Sequence, residues 1–327
     1  MVSLLSEKPR LAIIGTGGIA EFHVSAARAV GFQVAHVAGS SNSQTVKGFA
    51  EKCAIPNIWQ SSIELVSKSS EWDALVLAQS TDVMVNLLGL AMDAGKPVLA
   101  EKPLAIRSDD LDDFNLDNPL VQVGFNRRFY ASVAAAKEFI ESGGPCFIHL
   151  EVPESVPFDS TTGEVNFGPV RLNSVHAFDL LNYLCPNLGV KHHTVQYKDG
   201  RKLGGAIVLS APDGSSCSIL ANWNTPANFA MTIDRDGERF ELKPFEIGTL
   251  YAGMSVVEPS NDAPIRRYLP KVAQRTLPSG EDLTYKPGFF KQAECFYGLI
   301  NGNKQKTAAS IRDAKNALLI AELLINN

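Results

Sequence analysis

Short apolar runs alternate with helix-patterned segments through the N-terminal third of the chain, and this alternation restricts the fold more than any other feature. Arg10-Leu-Ala-Ile-Ile14 is an apolar run closed by a glycine and reads as a buried strand. Over residues 18–30, Ile19, Phe22, Ala26 and Val30 recur at helical spacing. Residues 33–38 read as a second strand, and 43–53 as a helix with Val46, Phe49 and Ala50 on one face. A strand at 74–78, a helix from about 82 to 94 and a strand at 97–100 continue the series. The strands are apolar on both faces, as expected where helices cover both sides of a parallel sheet. The pattern predicts a doubly wound α/β domain.

Beyond residues 121–125 the texture changes. A helix over 132–142 and a strand over 146–152 precede a loop-like stretch and a helix over 173–184. Strand-like runs at 206–210, 216–223, 231–234 and 239–242 follow. Asp213-Gly214 and Asp236-Gly237 are hairpin signals. Strands in hairpin succession predict an antiparallel sheet that can show one face to solvent or to a partner, and helices over 289–300 and 310–325 close the chain. At about 100–200 residues per domain, 327 residues suggest two. The expected division is a first, doubly wound domain over 1–122 and a second α/β domain over 123–327.

Composition narrows the function. Thirty Lys+Arg against 35 Asp+Glu give a net charge of −5, which disfavours a nucleic-acid binder that works by neutralising phosphates. No apolar run approaches the roughly 20 residues needed to span a bilayer, and the first ten residues do not read as a signal peptide. Cys53, Cys146, Cys185, Cys217 and Cys295 show no metal-ligand or redox-motif spacing. They read as reduced, buried thiols of a cytoplasmic protein, and no metal site is expected.

Gly15-Thr-Gly-Gly-Ile-Ala20 follows the first strand and opens the first helix. In that context it fits G-x-G-x-x-A. Gly15 makes the tight turn, Gly17 lets the backbone approach a pyrophosphate, and Ala20 lets helix pack on strand. Phosphates would rest at the positive helix end, beside Gly18 and Ile19. An NAD-type ribose site would carry an acid at the end of the second strand, but the chain reads Ala38-Gly-Ser-Ser-Asn42 there. Ser40, Ser41 and Asn42 can hydrogen-bond a ribose hydroxyl or a 2′-phosphate, so NAD and NADP both remain open. Glu101-Lys102-Pro103 ends the strand at 97–100, at the carboxyl edge where such sheets bind ligands. Pro103 keeps Lys102 out of the helical region.

Four segments together resemble the glucose–fructose oxidoreductase/inositol dehydrogenase/rhizopine-catabolism (Gfo/Idh/MocA) family over nearly the whole chain. They are Gly15–Ala20, Asp93-Ala-Gly-Lys-Pro-Val-Leu-Ala-Glu-Lys-Pro-Leu104, Val123-Gly-Phe-Asn-Arg-Arg-Phe129 and His176-Ala-Phe-Asp-Leu-Leu181. The resemblance implies a dinucleotide-binding Rossmann domain followed by an α/β domain whose large, open, mainly antiparallel sheet often makes oligomer contacts. It implies hydride transfer between NAD or NADP and a carbinol carbon of a sugar, sugar acid or nucleotide sugar. By the same resemblance Lys102 projects between nicotinamide and substrate, and His176 is the acid/base. Glu101, Gln79 and Ser80 belong to the cofactor site, and Asn126 and Arg127 to the substrate site.

Departures accompany the match. The usual Thr-Pro-Asn-like turn reads Gln79-Ser-Thr81, and a histidine common after the fourth main strand is replaced by Met84. Members of the standard type carry an aspartate four residues before the histidine; here it is Leu172, in Arg171-Leu-Asn-Ser-Val-His176. Asp179, three residues beyond His176 on the same helix, shares its face and reads equally as a carboxylate that orients the imidazole or as a structural partner within the helix. Arg171 suits a carboxylate or phosphate on the substrate, with Asn173 beside it. Two other readings stay open: a redox-neutral enzyme with a retained cofactor, and a sugar- or nucleotide-sensing regulator without turnover, which Leu172 favours and the intact Glu101-Lys102-Pro103 and His176 disfavour.

Overall fold

The computed structural model describes residues 8–39, 45–159, 161–162 and 164–326. The chain forms two compact units. One runs to Phe129 and includes Gly280–Leu319; the other comprises Tyr130–Ser279 with the chain from Ile320 onward.

The first unit begins with β1 (Arg10–Ile14), α1 (Gly18–Ala29), β2 (Gln33–Ala38), α2 (Thr45–Lys52) and β3 (Asn57–Trp59). It continues with α3 (Ser62–Ser67), β4 (Ala74–Leu77), α4 (Thr81–Asp93), β5 (Val98–Ala100) and β6 (Val121–Val123). All six strands are parallel, in the order β3-β2-β1-β4-β5-β6. That is the Rossmann order, with its switch point between β1 and β4. On one face Leu11, Ile13, Val34 and Val76 pack with Ala20, Val24 and Ala27 of α1. On the other, Ala12, Ile14, Leu75 and Leu77 are equally buried. Both faces are therefore sealed by helices, which is why these strands carry no polar alternation.

The second unit holds α5 (Ala131–Glu141), β7 (Phe147–Val152), a π-helical turn (Val170–Ser174) and α6 (Val175–Leu184). Then come β8 (Gly189–Lys198), β9 (Arg201–Ser210), β10 (Ser216–Asn222) and β11 (Ala230–Arg235). β12 (Glu238–Leu242), β13 (Gly248–Val257) and β14 (Arg267–Thr276) complete the sheet. Its order is β14-β13-β12-β11-β7-β10-β9-β8, with β7 and β10 the one parallel pair. The expected Asp236-Gly237 hairpin joins β11 to β12 with both residues at positive φ, and Asp199-Gly200 joins β8 to β9 likewise. Ile148, Leu150, Ile207, Ile219 and Ile233 are buried on one face, where α6 packs on β7 and α5 on β12 and β13. The opposite face shows Phe147, Val208, Leu220, Met254 and Val256 to solvent. β14 had no counterpart in the sequence reading, because its residues are nearly all exposed and carry no apolar period.

α7 (Phe289–Ile300) returns to the first unit. Phe32 meets Phe296 at 5.7 Å and Tyr297 at 4.9 Å between ring centroids, and Phe289 and Ala293 pack on Ala26 of α1. A division after residue 122 therefore differs from the structure: residues 280–319 fold with the Rossmann sheet, through apolar contacts that no local pattern reveals. α8 (Ile311–Ile325) starts where Ser310 and Asp313 cap each other, and Asp313 pairs with the buried Arg128 at 3.2 Å. Among the described residues no helix is long and apolar enough to cross a membrane, and no group of His, Cys, Asp or Glu is arranged to hold a metal. All five cysteines are buried and free.

Candidate cofactor and active site

The turn after β1 is shaped by close packing. Gly15 has φ +110°, and its N–H donates to the Ala38 carbonyl at 2.9 Å. A Cβ on Gly15 would lie 2.0 Å from the Ala78 carbonyl oxygen, so this position admits glycine alone without displacing β4. Gly17 precedes the first residue of α1 and Gly18 begins it; both are exposed, and a Cβ on either would meet open space. Ala20 is fully buried and Ile19 half-buried against the Ala26–Phe289–Ala293 cluster. Among the described residues no side chain caps the start of α1. The arrangement is a bare helix N-terminus facing open space at the carboxyl edge of a Rossmann sheet, and it fits a dinucleotide pyrophosphate.

Neighbouring strand ends complete this edge. The Thr16 and Thr45 hydroxyls are 2.8 Å apart and tie the glycine turn to the start of α2. At the end of β2 the Gly39 carbonyl accepts the Ser62 hydroxyl at 2.7 Å, and Ser62 Oγ accepts the Gln79 amide at 3.2 Å. Gln79 is thus half-buried where the cofactor site is expected, and Ser80 is exposed at the start of α4. Ser40 and Ser41 lie outside the described residues, as does Asn42.

The Glu-Lys-Pro segment leaves β5. Glu101 turns inward: its Oε1 accepts from His23 Nε2 at 2.7 Å, and its Oε2 accepts the Lys102 N–H at 3.3 Å. Its carboxylate is therefore held by protein groups. Lys102 is half-buried. Burial pushes its ammonium below the usual lysine range; the Glu101 charge opposes that, while Arg127 and Lys286 add to it. Asn126 is buried and donates its amide to the Pro287 carbonyl at 3.0 Å, which gives it a bracing role within the first unit. Arg127 is half-buried beside Arg128, whose pairing with Asp313 the sequence reading missed.

In the second unit, His176 and Asp179 are both buried in α6, at 6% and 1% exposure, and their spacing of three residues puts them on one face of the helix. Leu172 is 51% exposed in the π-helical turn that precedes the helix. Arg171, in the same turn, has its Nε buried with no hydrogen-bond partner among the described residues. Asn173 does not stand open to a ligand: its amide donates to Glu154 Oε2 at 2.9 Å, and the Ser174 hydroxyl donates to the same oxygen at 2.8 Å. Glu154, itself buried, was not foreseen; it follows β7 and lies far from the turn in sequence. His23 was missed too, although a signal existed. It falls four residues after Ile19 and three before Ala26, a histidine in the apolar stripe of α1.

Residues 9–115 match the family model GFO_IDH_MocA, described as an oxidoreductase family with an NAD-binding Rossmann fold. Among curated proteins, the myo-inositol 2-dehydrogenase of Thermotoga maritima is 24% identical over 225 residues, covering 67% of this chain and 66% of that protein. An inositol 2-dehydrogenase of Mycolicibacterium gilvum is 32% identical over 190 residues, 54% of this chain and 52% of that protein. The matched stretches thus span less than two thirds of these relatives. Among solved structures, myo-inositol dehydrogenase from Lactobacillus casei in complex with NAD(H) and myo-inositol shares the fold, with a TM-score of 0.70 at 15% identity over 97% of this chain and 93% of that one.

Proposed function

We propose that the chain is a member of the Gfo/Idh/MocA oxidoreductase family, whose NAD-binding Rossmann model matches residues 9–115, and that it is an NAD-dependent oxidoreductase acting on a carbinol carbon of a sugar, sugar acid or nucleotide sugar. The observation that carries this reading is the uncapped start of α1 with open space at Gly17 and Gly18. Bound there, NAD supplies the hydride acceptor; the protein positions and polarises.

Lys102 is assigned the donor role. A half-buried ammonium is a strong hydrogen-bond donor to an oxygen on which negative charge develops. His176 is assigned the acid/base role, worth about 10²–10⁴-fold in rate. Asp179, on the same side of α6, is assigned to orient the imidazole. Arg171, whose Nε has no partner among the described residues, suits an acidic group on the substrate.

Fluorescence titration with NADH and turnover of a panel of cyclitols, sugars and sugar acids, followed by NADH absorbance, test the reading. Lys102→Met and His176→Gln are each expected to lower kcat sharply while leaving NADH affinity unchanged. Binding of NADH with no turnover across the panel would refute the oxidoreductase assignment in favour of a sensing role. The reading also places the protein in the cytoplasm, in keeping with five free thiols, and makes it a homo-oligomer through the exposed apolar face of the eight-stranded sheet. Light scattering coupled to gel filtration tests the oligomer: a monomer would refute it.

A further inference from the structure

We propose that His23 is a positioning residue that acts through the Glu101 carboxylate to set the surroundings of Lys102, a role that rests on the oxidoreductase reading for its catalytic meaning.

The geometry is a closed box around one carboxylate. Glu101 follows the last residue of β5, and its N–H donates to the Leu77 carbonyl at 2.8 Å, fixing the backbone. Its side chain is 8% exposed and that of His23 4%. One carboxylate oxygen is bonded by His23 Nε2 and the other by the Lys102 N–H. A Cβ on Gly124 would come within 2.8 Å of Oε1 and 3.0 Å of Oε2, so the backbone of the segment after β6 closes the remaining side. A buried carboxylate is stable only with such partners, and these partners remove its freedom to rotate.

The box faces a positively charged neighbourhood. Lys102 is acted on by Arg127 and Lys286, both positive, and by Glu101, which is negative. The His23 ring is packed 5.0 Å from that of Phe289, and Lys286 Nζ lies 5.6 Å from the same Phe289 ring. His23 therefore directs the carboxylate whose charge acts on the lysine. α1 carries both His23 and, at its start, the glycine turn. The helix that presents its N-terminus to the pyrophosphate also anchors the carboxylate beside Lys102.

A simple staple between helix and sheet would affect stability alone. The test therefore reads Lys102 itself, in the full chain without substrate or cofactor. Lysines are reductively methylated with ¹³C, the Lys102 resonance is assigned with Lys102→Arg, and its titration is followed by NMR. In Glu101→Gln the midpoint should fall by about one pH unit, because the favourable charge is gone. In His23→Leu, or in His23→Asn if that variant does not fold, the unanchored carboxylate turns toward water. The midpoint should then fall by about half a unit. His23→Gln, which places a donor near the position of Nε2, should restore the wild-type midpoint. A Lys102 midpoint unmoved by loss of His23, with only thermal stability lowered, would overturn the proposal. Turnover of Lys102→Met is a separate measurement. If it were normal, the oxidoreductase role of the lysine would fall, while the titration would still decide the coupling.

Discussion

Gly15 and Gly17 stand two residues apart in one turn, yet their substitution should have opposite consequences. In Gly15→Ala the new Cβ starts 2.0 Å from the Ala78 oxygen and 2.6 Å from its carbonyl carbon, both backbone atoms that no rotamer change can move. The φ of +110° adds a backbone penalty. Strain of about 1–2 kcal/mol for the dihedral and about 1–3 kcal/mol for the overpacking gives a loss of about 2–5 kcal/mol. That is a large share of a typical stability of about 5–15 kcal/mol. In Gly17→Val the side chain enters open space at an extended backbone position, φ −70° and ψ 169°, and stability should fall by about 1 kcal/mol or less. That open space is where the pyrophosphate is proposed to rest. Losing one or two charge-assisted hydrogen bonds there should weaken NADH binding about 100-fold, or about 3 kcal/mol. Urea denaturation and NADH fluorescence titration on the two variants separate the effects. Unchanged NADH affinity in Gly17→Val would remove the basis for the cofactor site. A Gly15→Ala protein as stable as wild type would refute the packing argument.

Phe296→Ala should cost about 3–5 kcal/mol in denaturant melts, because the ring is 1% exposed and packs against Phe32 in the core of the first unit. Glu154→Ala strips the shared acceptor from Asn173 and Ser174 and should cost about 2–4 kcal/mol, whereas Glu154→Gln, whose amide oxygen accepts from both but whose amide nitrogen cannot accept the Ser155 N–H that Oε1 takes at 3.1 Å, should recover only part of it by the same measurement. At Asp313, burial pushes the carboxyl up, but Arg128 and the Ser310 N–H and hydroxyl pull it further down, so its folded value lies below the ordinary one. The stability it contributes is complete above the unfolded value of about 3.9 and is lost as pH falls through the folded value, so Asp313→Asn should flatten the acid limb of a Tm-against-pH curve.

The parts of the fold that were legible in the sequence share a physical cause. β1, α1, β2 and α7 are bounded by glycines or carry strong apolar periods, and their observed limits fall within a residue of those read from the pattern. β3 is three residues long and β14 is exposed along nearly its whole length, so neither carries a pattern to read. The glycine turn was legible because its chemistry is local. The His23–Glu101 bond joins residues 78 positions apart, and the Arg128–Asp313 pair is more distant still. Such pairs are made by the packing of elements, and each partner alone looks like an ordinary polar residue. The return of α7 to the Rossmann unit belongs to the same class, since Phe296 and Phe32 find each other only once the sheet exists.

Leu172 shows where counting along a motif stops being a measure of space. Four residues before His176, on a regular α-helix, a side chain would share the face of the histidine one turn away. The segment Val170–Ser174 is instead a π-helical turn, whose bonds close over five residues rather than four. The extra residue changes which side chains look inward. Leu172 stands half in water, while Asn173 and Ser174 turn toward Glu154, and Ser174 is fully buried. A carboxylate is therefore present beside the segment that leads into α6, but it arrives from the exit of β7 rather than from the turn itself. The absence of aspartate at position 172 is a local fact of the sequence. The acceptor that organises this turn is a tertiary one, and it becomes visible only when strand and helix are brought together.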